Sequence, residues 1–201
     1  MSSSPTNHAL IQPLWLRIFH WINALAVVLM IMSGWRIFNA SPLFDFTFPK
    51  GFTIGGWLGG ALQWHFAAMW LFALNGSAYL ILNLVSGRVK KRFSPLSLIQ
   101  LMRDMSDAAR GRLTHANIHQ YNMVQKFAYL SVIIAGIGLV VSGLVLWKSV
   151  QFSLLRDLLG GYDAARYIHF ILMAFLVVFV LVHIIMVALV PRTLLTMLRG
   201  R

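Results

Sequence analysis

Four stretches of the chain, roughly Leu14–Trp35, Ala61–Leu84, Phe127–Trp147 and Tyr167–Val190, are apolar almost throughout, and what separates them is polar, basic or rich in glycine and proline. Each is near the ~20 residues that one helix needs to cross a bilayer. The pattern predicts an all-α integral membrane protein: one membrane domain over residues 1–201, built as a four-transmembrane-helix bundle. The first stretch lacks a basic n-region, is longer than a typical signal-peptide core and carries Arg17 and His20, so it reads as a retained span. Residues 1–13, with Ser2, Ser3, Ser4 and Pro5, read as a polar lead. Between the second and third spans, residues 94–110 open with Ser94-Pro95 and space Leu98, Leu101, Met102 and Met105 at helical intervals. An amphipathic helix lying on the inner membrane surface fits this spacing, as does a solvated connector.

Charge changes the picture by giving it a direction. The chain carries +12 net, which in a soluble protein would suggest nucleic acid. Here the cations sort by loop. Twelve belong to one side: Arg17, Arg88, Lys90, Lys91, Arg92, Arg103, Arg110, Arg112, Lys126, Arg192, Arg199 and Arg201. Five belong to the other: Arg36, Lys50, Lys148, Arg156 and Arg166. The positive-inside bias then places both termini and the long middle loop in the cytoplasm. Middle-loop cations also suit anionic lipid.

The last span holds two imidazoles, His169 and His183, inside an otherwise apolar run. Fourteen residues at 100° each return to within about 40°, and at 1.5 Å rise they separate the two by ~21 Å along one stripe. Ionisable groups within a span are costly and mark a site that needs them. The chain contains no cysteine, which excludes disulfides, iron–sulfur clusters, thiolate metal sites and covalent c-type haem. Any haem must then be b-type, held by axial ligands. Two further span histidines supply partners. His20 lies about one turn inside the first span and His65 opens the second. With helices alternating in direction, His65 and His169 share the outer level and His20 and His183 the inner one, although His20 and His65 each read alone equally well as an interfacial residue. Two bis-histidine irons would have no open position, which favours electron transfer over oxygen chemistry.

Other features carry weaker chemistry. The loop from Ile37 to Gly60, with Pro42, Pro49 and Gly51, Gly55, Gly56, Gly59 and Gly60, predicts irregular extracytoplasmic structure and no phosphate loop. Gly136, Gly138, Ser142 and Gly143 allow close approach of a backbone or a flat macrocycle. His115 and His119 are four apart, but without an acidic or thiol neighbour they read as interfacial rather than as a metal site. Arg17, Arg36 and Arg166 are candidates for haem propionates, with snorkelling to lipid phosphate as the plain alternative.

Taken together, Arg17-Ile18-Phe19-His20-Trp21, Gln63-Trp64-His65, the run Tyr121-Asn122-Met123-Val124-Gln125-Lys126-Phe127-Ala128-Tyr129, and His169 with His183 resemble the bacterial di-haem cytochrome b family. These are the membrane subunits of nickel–iron hydrogenases, formate dehydrogenases and thiosulfate reductases, and the likeness is strongest to the thiosulfate-reductase type. The resemblance covers essentially the whole chain. It implies two haem b groups, an outer one on His65 and His169 and an inner one on His20 and His183. It also implies a quinone beside the inner haem, with Asn122 and Gln125 as the matching amides, and an extracytoplasmic partner, a molybdopterin enzyme.

The expected function is therefore that of an electron-transfer subunit of an oxidoreductase complex, passing electrons between quinone and an outer redox partner docked on the two outer loops. The sequence leaves the direction open. Two rivals stand beside it. A stand-alone superoxide:quinone oxidoreductase shares the ligand pattern but tends to short loops, whereas the Ser86–Gln125 connection is long. A non-redox scaffold would show no b-type absorption.

Overall fold

The computed structural model describes residues 12–87 and 123–200, with positions 99, 100, 102, 103 and 106 between them. The described residues are helical or irregular, with no strand. In order they form α1 (Leu14–Ala40), a single 3-10 turn (Lys50–Phe52), α2 (Leu58–Val85), α3 (Met123–Trp147), α4 (Ser153–Leu158), α5 (Tyr162–Leu189) and α6 (Pro191–Arg199). The four long helices α1, α2, α3 and α5 are each long and apolar enough to span a bilayer. The expected segment 94–110 lies largely outside the described residues, as do His115, His119 and Asn122.

The spans outrun their apolar cores. At 1.5 Å per residue the 27 residues of α1 make a rod of ~40 Å, longer than a ~30 Å hydrocarbon layer, so its ends stand in the headgroup region. Nothing between Trp35 and Ala40 breaks a helix, and α1 runs on until the turn before Pro42. At the other end of the chain, Gly160 and Gly161 adopt positive φ of 86° and 104°, conformations open to glycine. That lets α5 begin at Tyr162 with Asp163 in its first turn, where a carboxylate complements the helix dipole. Pro191 stops α5 and starts α6, because proline suits a first helical position and no interior one.

The chain divides into two compact units, one of residues 1–79 with 180–201 and one of residues 80–179. In the first, the large apolar side chains of α1 that stay exposed (Leu14, Ile18, Trp21, Leu25 and Val28) recur every three or four residues, a stripe of the kind that faces lipid. The loop after α1 is irregular, as glycine and proline dictate, yet it is pinned. The Asn39 side chain donates to the Phe48 carbonyl and accepts from the Phe48 amide, both at 2.8 Å, and the Ile54 amide donates to the Met32 carbonyl at 3.3 Å. Trp35 stacks on Phe48 at 4.6 Å and Phe38 on Phe46 at 5.1 Å. These contacts make the loop an aromatic cap on the end of α1.

Asn75 of α2 is buried and donates to the Phe19 carbonyl of α1 at 2.9 Å. An interhelical bond of this kind is worth about 0.5–2 kcal/mol in a membrane protein. Asn75→Leu is expected to lower stability by that amount in mixed-detergent unfolding and to loosen the turn of α1 that carries His20.

In the second unit, Ser142 is fully buried on α3, and its hydroxyl donates back to the Gly138 carbonyl at 2.7 Å. The Lys148–Arg166 connection contains the short helix α4, which the sequence pattern did not predict. Its Arg156 pairs with the neighbouring Asp157 at 2.8 Å.

Candidate functional site

His20 stands on the second turn of α1, and His183 lies six residues before the end of α5. Their ring centres are 6.1 Å apart with planes crossing at 62°. An imidazole nitrogen sits about 2 Å from a transition metal, so two such bonds span about 4 Å. The two ring radii take up the rest of the observed separation. The separation therefore suits one metal atom between the two rings. Among the described residues no three His, Asp or Glu side chains converge. A bare ion usually takes four ligands, whereas iron in a porphyrin asks the protein only for two axial ones.

Unspent polar atoms flank His20. Arg17 and Asn23 lie three residues before and after it, close to the same side of α1. Buried Arg17 Nε and Asn23 Oδ1 have no hydrogen-bond partner within the structure, and such groups call for one that is not protein. The Arg17 guanidinium is also tied elsewhere, since its Nη1 donates to the Leu198 carbonyl at 2.7 Å. Trp21 Nε1 reaches the Met197 carbonyl at 3.4 Å. Together they hold the C-terminal end of α6 against the start of α1, where a cation complements the helix dipole. A shallow groove lined by Leu14, Arg17, Ile18, Trp21, Ile22 and the Met197–Leu198 pair lies at this junction.

His65 and His169, one in each unit, each meet a serine. His65 Nδ1 is 3.0 Å from Ser33 Oγ of α1, and His169 Nδ1 is 2.9 Å from Ser142 Oγ of α3. Both serines are fully buried. Each is followed by a glycine over which the ring lies: a Cβ at Gly34 would be 3.5 Å from His65 Cε1, and one at Gly143 3.4 Å from His169 Cε1.

The remaining candidates are placed as follows. Arg36 donates to the Gly56 carbonyl and so holds the aromatic loop. Arg166 sits half-buried in the first turns of α5 and Gln125 half-buried in the first turn of α3. Reading the sequence missed Asn23 and Asn75 as site-building residues and took Ser33 and Ser142 only for their small size. The signal that was there is the Ser-Gly pair, present at 33–34 near the end of one span and again at 142–143 near the end of another.

A donor set of imidazoles in apolar helices, without cysteine, suits non-covalent haem. Residues 11–200 match the prokaryotic cytochrome b561 family, nearly the full chain. The chain belongs to that family. This cytochrome is accordingly a multi-pass protein of the bacterial inner membrane, b-type, and a subunit for electron transport. It is similar to the putative protein-methionine-sulfoxide reductase subunit YedZ1 of Azospira oryzae. The two are 60% identical over 190 residues, covering 94% of this cytochrome and 96% of the relative. No solved structure matches it. The resemblance to bacterial cytochrome b membrane subunits read from the histidine motifs thus holds at the level of the family.

Proposed function

We propose that this cytochrome binds two haem b groups and carries electrons from quinol at the cytoplasmic side to an extracytoplasmic reductase. His20 and His183 hold the inner haem; His65 and His169 hold the outer one. The observation that carries the reading is the pair of imidazoles, 6.1 Å between centres, on α1 and α5. Haem supplies one-electron transfer, and two imidazoles on one iron leave no coordination position for oxygen. The protein's part is to fix ligand spacing, keep the site apolar and place donors for the propionates. Arg17, with its unspent Nε beside His20, is the strongest of these donors, and Arg36 and Arg166 are the others. Gln125, in the first turn of α3, and Asn122, outside the described residues, are the amides for a quinone.

The relative is named as a subunit of a protein-methionine-sulfoxide reductase, and a reductase consumes electrons, so flow runs outward from quinol. The partner is then a molybdopterin-type enzyme acting on oxidised methionine in proteins, docked against the aromatic loop and the Lys148–Arg166 connection. Each electron leaving the cytoplasmic side exchanges about 2.3 kcal/mol per 100 mV with the membrane potential. The relative's designation as a subunit also favours this reading over a stand-alone superoxide oxidase.

The test is to purify the cytochrome in mild detergent with whatever co-purifies, count haem per chain, reduce it with a quinol and add a protein containing methionine sulfoxide. Two haems per chain, reduction by quinol and reoxidation by the sulfoxide are expected. A single haem, or no reduction by quinol, overturns the proposal.

A further inference from the structure

Ser33 and Ser142 occupy matching places in the two units. Ser33 Oγ lies 2.6 Å from the Leu29 carbonyl and 3.2 Å from that of Met30; Ser142 Oγ lies 2.7 Å from the Gly138 carbonyl and 3.3 Å from that of Leu139. A carbonyl oxygen only accepts, and a hydroxyl has one proton to give. Each serine therefore spends its proton on its own helix, the usual back-bond of a helical serine. What Oγ then offers the histidine is a lone pair. Nδ1 of His65 and Nδ1 of His169 must donate, so in the neutral ring the proton sits on Nδ1 and the lone pair on Nε2. The following glycine completes the arrangement. A Cβ there would stand 3.5 Å (Gly34) or 3.4 Å (Gly143) from Cε1, the carbon between the two ring nitrogens, so each ring lies within van der Waals reach of the neighbouring helix.

We infer that the repeated Ser-Gly pair is a positioning device that makes Nε2 the coordinating nitrogen of both His65 and His169 and strengthens it as a donor. The inference rests on the di-haem reading. A hydrogen bond accepted from Nδ1–H pushes electron density into the ring and raises ligand basicity. A more basic ligand favours ferric over ferrous iron and so keeps the potential of the haem it holds low. The serines touch no cofactor; they act through the imidazoles.

The experiment is a redox titration of the full chain in detergent, followed by visible and electron paramagnetic resonance spectra, for wild type, Ser33→Ala, Ser142→Ala and the corresponding threonine variants. Each alanine variant is expected to raise the potential of one haem, by about tenfold in the ferric-to-ferrous ratio, which is 59 mV for one electron. Its axial-ligand spectrum should shift as well. The His20–His183 haem should titrate as in wild type, which certifies that the variant is folded. Threonine, keeping the hydroxyl, should restore the wild-type potential. Unchanged potentials and spectra in both alanine variants would overturn the inference, as would threonine variants shifted as far as alanine. If Ser33→Ala moves one haem and Ser142→Ala the other, the device stands and the pairing of His65 with His169 falls. A wild-type protein with fewer than two haems overturns both.

Discussion

His183→Leu is expected to reduce haem content from two per chain to one and to abolish reduction by quinol, even though the outer haem stays bound. Leucine is a strong helix former and fills much of the same volume, so α5 keeps its course. What goes is one of two rings whose centres lie 6.1 Å apart, and an iron with one protein ligand is held far more weakly. His20→Leu should give the same spectrum, and the double variant should be no worse than either single one, as the proposal that both residues serve one iron requires. Haem per chain from the pyridine haemochrome, with the reduced-minus-oxidised spectrum, reads the result. Two haems retained in His183→Leu would remove the inner site from the proposal.

The fold was largely legible because hydropathy over about twenty residues is the strongest signal a sequence carries. The helix ends were less so. Residues 36–40 and 162–166 are polar enough to look like loop, yet α1 and α5 run through them, because a helix continues into the headgroup region until glycine or proline stops it. Composition likewise told that the 37–60 loop would be irregular but not that Asn39 and Arg36 would fix it. At the site, His20 and His183 were legible because an imidazole in an apolar span stands out. Ser33 and Ser142 did not stand out, since serine is an ordinary small residue at helix contacts. Their role appears only with distance: a hydroxyl that both back-bonds its helix and faces an Nδ1 is a statement about geometry. Asn23 is similar, informative through an oxygen without a partner and silent as a letter in a string.

His169→Leu should behave differently from His183→Leu, and the difference tests the order of the two sites. It too should leave one haem per chain, but that haem remains beside the quinone. Quinol should therefore still reduce it at close to the wild-type rate, while a methionine sulfoxide protein added with the partner should no longer reoxidise it. The two histidines of α5 are ~21 Å apart along the helix, so electrons that reach the inner haem have no nearby route past a missing outer one. His65→Leu should match His169→Leu in haem content and in this trapped reduced state, and combining them should add nothing. Rapid mixing with quinol and then with sulfoxide separates the cases: in His183→Leu the first step fails, and in His169→Leu the second. If His65→Leu instead blocked reduction by quinol, His65 would belong with the inner site and the depth argument built on alternating helices would fail. If His65→Leu and His169→Leu each removed a different haem, the ligands would have to be re-paired across the four histidines, with His20 and His183 no longer serving one iron despite their proximity.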